Sequence, residues 1–170
     1  MLSKTYRFRP EGKGLKTNYI LEDENNEIVY EAKVLKQPLI GAASIEFINH
    51  VTGNSEEHKV GQTITTETSQ GLGFYTTKSH FKYDGQKIWD YLHSKGVRID
   101  SSPSGGKLGM TYSVMLGDYE IATIATASLG GGLSFLTSAV NLDVTASEEN
   151  LDLAFLTAFA IARTDQTFYS

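Results

Sequence analysis

Residues 151–162 read LDLAFLTAFAIA, apolar at ten of twelve positions, and this run constrains the chain more than any other. A surface helix keeps a polar stripe toward water. Here the only interruptions are Asp152 and Thr157, which at helical pitch fall on different sides of the cylinder, so no stripe forms. The spacing predicts a helix buried all round. Ser147 is placed to act as its N-cap, with Glu148, Glu149 and Asp152 in the first turn and Arg163 at the far end, signs that suit the helix dipole.

Almost everything before this helix is strand-like and punctuated by turn residues. Asn18 to Glu22 and residues 27–35 flank Asp23-Glu24-Asn25-Asn26, with Ile28, Tyr30, Ala32 and Val34 on one face of the second arm. Residues 43–50 and 56–66 flank Thr52-Gly53-Asn54, and residues 110–116 and 119–128 flank Gly117-Asp118, a pair suited to a type II′ turn. The run at 79–83 and its Asp84-Gly85 turn lead into QKIWDYLHSKG, where Ile88, Trp89, Tyr91 and Leu92 recur at helical spacing. A short helix is therefore expected over 86–95, stopped by Gly96, with strands at 97–100 and 139–144. Many short antiparallel strands and one wholly apolar helix predict a mainly β domain over residues 1–170. In it a closed antiparallel barrel of about twelve strands surrounds a central hydrophobic C-terminal helix, with one short inserted helix.

Charge and composition exclude several classes. The chain has no cysteine, so disulfides, thiolate catalysis and Cys-ligated zinc are out, which agrees with a cytoplasmic setting. The opening MLSKTYRFRPEGKG lacks the apolar run of a secretory signal. Residues 121–142 are uncharged but carry seven Ser, Thr or Asn residues and three consecutive glycines, and the final helix is too short to span a bilayer. The net charge of −5 conceals Lys4, Arg7, Arg9, Lys13 and Lys16 against Glu11 within residues 1–16, a local +4. On a first strand with Tyr6 and Phe8 facing inward, Arg7 and Arg9 face water. An acidic chain of this kind is not expected to bind nucleic acid.

The stretches NYILEDENNEIVYEAKV, ASIEFINHVTGN and YSVMLGDYEIATI, and above all AVNLDVTASEENLDLAFLTAFAIARTD, resemble the tubby C-terminal-like superfamily, which includes the LURP-one-related proteins and the phospholipid scramblases. The resemblance implies a barrel wound around a C-terminal helix. It further implies a non-enzymatic binding module that docks peripherally on anionic phospholipid or phosphoinositide headgroups, or on a protein partner. Arg7, Arg9, Lys13 and Lys16 are then the candidate contacts. Scramblase chemistry does not carry over, because the chain has neither a cysteine for lipid attachment nor an EF-hand loop.

Residue patterns for catalysis and cofactors are not found. His50, His58, His80 and His93 lack metal-site spacing, although His50 and His58 could meet across a hairpin. Gly105-Gly106-Lys107 is followed by Leu108 where a phosphate loop needs Ser or Thr, Gly130 to Gly132 lack dinucleotide-loop spacing, and no GxSxG elbow occurs. Glu56-Glu57 reads as a turn-side pair and Trp89 as a core anchor. No catalytic residue, metal or cofactor is therefore expected. The alternative is a small-ligand binder or enzyme with a pocket at one barrel end, which would require His58, His80 or acidic side chains to converge there.

Overall fold

The computed structural model describes residues 3–12, 17–39, 41–68, 75–103, 110–126 and 141–163, with side chains described except within 62–80 and 102–103. The strands are β1 (Lys4–Glu11), β2 (Asn18–Glu22), β3 (Ile28–Lys36), β4 (Ala43–Asn49), β5 (Ser55–Thr68), β6 (Tyr75–Tyr83), β7 (Gln86–Lys87), β8 (Val97–Pro103), β9 (Met110–Leu116), β10 (Tyr119–Thr126) and β11 (Leu142–Ala146). Helix α1 (Ile88–Ser94) lies between β7 and β8, and α2 (Leu151–Arg163) follows β11. The eleven strands among the described residues join one antiparallel sheet in the order β7-β6-β5-β4-β3-β2-β1-β11-β10-β9-β8. Two meanders thus meet where β1 pairs with β11, placing Phe8 opposite Leu142 and Tyr6 opposite Val144.

The two end strands of this sheet, β7 and β8, are joined through α1, which packs against β6, β7, β8 and α2. No hydrogen-bonded pairing links β7 to β8 among the described residues. The short helix is narrower than the 86–95 expected, because Gln86 and Lys87 pair back onto β6 before the turn of helix begins. It stops as expected: the Gly96 N–H reaches the His93 carbonyl at 2.9 Å, and Gly96 takes φ +84°, a conformation that favours glycine.

Helix α2 is the centre of the core. Every residue from Ala154 to Ile161 is buried, more than two full turns, so all sides of the helix are covered. Phe155 meets Phe8, Tyr30 and Phe47, while Phe159 meets Tyr19, Phe47 and Phe81, so rings from β1, β2, β3, β4 and β6 all converge on one helix. Full burial of one such side chain contributes about 1.5–3 kcal/mol. Thr157 is tolerated at 0% exposure because its hydroxyl donates to the Leu153 carbonyl at 2.7 Å, leaving no polar group unmet.

Three local expectations need correction. A 3₁₀ turn at Glu148–Asn150 precedes α2, so Glu148 and Glu149 lie outside the α-helix. Within that turn the Ser147 carbonyl takes the Asn150 N–H at 3.1 Å, and the Ser147 hydroxyl contacts the Asn150 and Glu149 side chains instead of capping a backbone N–H. Ile28 is 41% exposed instead of sharing the buried face of Tyr30 and Ala32. It pairs with Glu22 immediately beyond a register shift, at the turn end of the hairpin. The last strand is described as Leu142–Ala146, and residues 139 and 140 of its expected start lie outside those described.

Candidate functional site

Alternation along β5 decides which side chains enter the cleft. Glu56 stands opposite Phe47, His58 opposite Ile45 and Val60 opposite Ala43, so Glu56 and His58 share the inward face with buried apolar residues. Glu57 and Lys59 take the outward face. At the other side of β5, the turn after β6 is clasped to the strand. The Asp84 N–H donates to the Lys59 carbonyl at 2.7 Å, and the Lys59 N–H donates to Asp84 Oδ1 at 2.8 Å. Asp84 takes φ +51° there, a left-handed conformation that aspartate tolerates better than most residues.

The second oxygen of Asp84 is then aimed at His58, with Oδ2 2.6 Å from Nδ1, while Glu56 Oε2 lies 3.1 Å from Nε2. A neutral imidazole donates through one nitrogen only, so both contacts are hydrogen bonds at once only when the ring carries two protons. The ring stacks on Tyr83 at 4.5 Å between centroids and meets the edge of Phe47 at 5.6 Å. Its side chain is 16% exposed, whereas that of Glu56 is 76% exposed.

Across the cleft, Asn49 organises the start of α2. Its Nδ2 donates to Asp152 Oδ1 at 3.2 Å, and its Oδ1 accepts the N–H groups of Val51 and Thr52, fixing the turn between β4 and β5. The Asp152 carboxylate also lies beside the Tyr30 phenol. Burial first, and then this carboxylate, push the Tyr30 phenol far above its ordinary range; burial, with Tyr91, Asp84 and Glu56 nearby, does the same to Tyr83. Both stay neutral donors at physiological pH. Between these walls lies a cleft of about 220 Å³, lined by Tyr30, Phe47, Glu56, His58, Tyr83, Tyr91 and Asp152 together with neighbouring residues. Among the described residues no group of three or more His, Asp or Glu side chains is arranged to hold a metal ion.

No family model, curated protein or solved structure matches this chain.

The sequence-derived contacts lie elsewhere. Arg7 and Arg9 stand on the outer face of β1, where Arg7 is exposed and lies in register with Glu22 and Asp143. Arg9 is held by Glu22, whose Oε1 accepts from Nη2 at 2.5 Å and from Nε at 3.0 Å. Lys4 lies 3.7 Å from Glu148. Lys13 and Lys16 fall outside the described residues. His50 bonds Glu31 at 2.9 Å instead of approaching His58. Trp89 is a core residue, as its type and spacing imply. The side chain of His80 is outside those described. Reading Glu56 as a turn-side residue missed the cleft; the strand alternation that pairs it with His58 on one face was the available signal.

An open groove of about 520 Å³ lies on the outer surface between Leu35, Lys36, Pro38, Ser44 and Lys59, and the Lys59 ammonium donates to the Ser44 hydroxyl. Beside it, Leu39 is fully exposed. No helix among the described residues is long and apolar enough to cross a membrane.

Proposed function

We propose that this chain is a non-enzymatic, cytoplasmic binding module of the tubby-like type, a barrel closed around α2, and that it takes a small ligand in the cleft where α2 begins. The observation that carries the reading is His58, held by Asp84 and Glu56 on the inward face of β5 above a floor of buried rings. The largely covered His58 imidazole is costly to desolvate, and an apolar side chain there would serve the core as well or better. Its placement with two carboxylates, beside Tyr30 and Asp152, supports a recognition role. The burial of α2 on every side and the contacts of α1 with both end strands support the closed barrel.

The test is amide-resolved NMR of the full chain against a chemically mixed fragment set. Shifts gathered at residues 54–58, 83–91 and 151–156 are expected; shifts scattered over the surface, or none, would remove the cleft as a ligand site.

A second reading, peripheral docking on anionic phospholipid, is favoured by one observation: fully exposed Leu39 beside the exposed lysines Lys36 and Lys59. Apolar tips flanked by lysines suit a negatively charged bilayer surface. Vesicle co-sedimentation over a salt series separates its two candidate patches. Loss of binding in Lys36→Glu/Lys59→Glu assigns this groove, loss in Arg7→Glu/Arg9→Glu assigns the N-terminal strand, and equal recovery with neutral and anionic vesicles rejects both.

A further inference from the structure

The chemistry of the cleft points to the kind of ligand it accepts, an inference that rests on the cleft being the binding site. Its formal charge is one-sided. Glu56 and Asp152 line it and Asp84 adjoins it, against the single imidazole of His58, and no lysine or arginine is among its lining residues. Even with His58 fully protonated and the ammonium of Lys95 against Tyr91 counted, three carboxylates against two cations leave an excess of negative charge. An anionic ligand would meet this excess directly, and an apolar one would strip water from carboxylates without replacing it.

Its walls supply the second half of the argument. Tyr91 lines the cleft half-buried, and its ring already takes an ammonium: Lys95 Nζ lies 5.5 Å from its centre. Ring faces attract cations through their negative quadrupole, more strongly where water is partly excluded. The phenols of Tyr30 and Tyr83 stay neutral, so they add hydrogen-bonding capacity without positive charge. A volume of about 220 Å³ corresponds to roughly seven waters at ~30 Å³ each, enough for a headgroup and less than a drug-sized molecule requires.

We infer that the cleft binds a small alkylammonium group, a protonated amine or a quaternary ammonium, between Tyr91 and the carboxylates of Glu56 and Asp152. The group could be supplied by a free metabolite-sized amine or by a lysine side chain on a partner, and the titration separates these sources.

The experiment titrates the full chain with choline, putrescine, the neutral choline isostere 3,3-dimethylbutan-1-ol, and N-acetyl-lysine N′-methylamide, following amide shifts at residues 54–58, 83–91 and 151–156. Choline or putrescine should bind at least about tenfold more tightly than the neutral isostere, a difference of about 1.4 kcal/mol. Glu56→Gln should weaken cation binding several-fold; because that side chain is largely exposed, the variant should fold normally. Asp152→Asn should weaken it similarly. Preference for the lysine amide over the free amines supports the inference and assigns the group to a partner chain. An isostere that binds as well as choline, or Glu56→Gln and Asp152→Asn variants with unchanged affinity, would overturn it. If neutral fragments occupy the cleft while neither cation does, the cation inference fails and the cleft reading stands; if no compound shifts the cleft, both fail.

Discussion

Helix α2 has a sealed middle and a polar beginning, although the same aromatic layer serves both. Around Phe155 and Phe159 the neighbours are rings from five strands, and the hydroxyl within the helix, that of Thr157, is satisfied by the helix itself. One turn earlier, Asp152 is exposed and accepts from Asn49, and the cleft beside it brings His58 to Asp84 and Glu56. Tyr30 belongs to both regions, since its ring stacks on Phe155 at 4.3 Å while it lines the cleft together with Asp152. Packing of the middle region supplies stability, and at the polar end side chains beside water are fixed by hydrogen bonds to one another.

The largest effect should come from breaking the sealed region. Phe155→Asp places an unpaired charge at a position with 0% exposure and should unfold the domain at a cost of several kcal/mol. A soluble variant with an unchanged melting temperature would show that α2 is not central.

Alkaline titration tests the layer shared by the two regions. The folded pKa values of Tyr30 and Tyr83 lie above their unfolded value near 10, so their contribution is fully present below pH 10. Above it the unfolded chain loses protons that the folded chain keeps, and stability falls by up to about 1.4 kcal/mol per phenol for each pH unit. Melting temperatures should therefore decline above pH 10, with tyrosinate absorbance lagging until unfolding; ionisation of all tyrosines near pH 10 in the folded protein would contradict the burial.

A smaller change is expected at the polar end. Asn49→Ala removes the bond to Asp152 and both backbone bonds of the following turn, and should cost about 1–3 kcal/mol by chemical denaturation. A cost below a few tenths would mean that water replaces the asparagine without loss. Smallest of all, Glu56→Gln should alter stability by less than about 0.5 kcal/mol, since its side chain is largely exposed. A loss comparable to Asn49→Ala would turn the Glu56–His58 contact into a structural element and weaken the division between the two regions.

Turn chemistry made much of the sheet readable in advance, because it is local. Asn26, Gly53 and Gly117 take φ values of +60°, +80° and +63° at the three hairpin turns that their residue types mark. The strands that flank those turns begin and end within two residues of the expected bounds. Register was less accessible. Shifts between Leu21 and Glu22, Val34 and Lys36, and Glu120 and Ala122 leave no signature in residue type, and the first of them accompanies the exposed placement of Ile28. Glycine at 61 has a comparable origin: a Cβ there would lie 2.9 Å from the Ala42 Cα, a proximity visible only once β4 and β5 are paired.

The cleft was legible only as a condition on what should converge. Strand alternation links positions 56 and 58, but no spacing rule ties them to Asp84 and Asp152. The sequence by itself determined that residues 151–162 form a buried helix surrounded by strands, since local periodicity and apolar content have no other stable outlet in water. Only the tertiary structure decided that Glu56 and His58 face inward, that Asp84 turns back onto β5, and that Arg9 is engaged by Glu22. Those outcomes depend on strand register and on side-chain distances of about 3 Å between residues far apart in the chain, which local propensities do not encode.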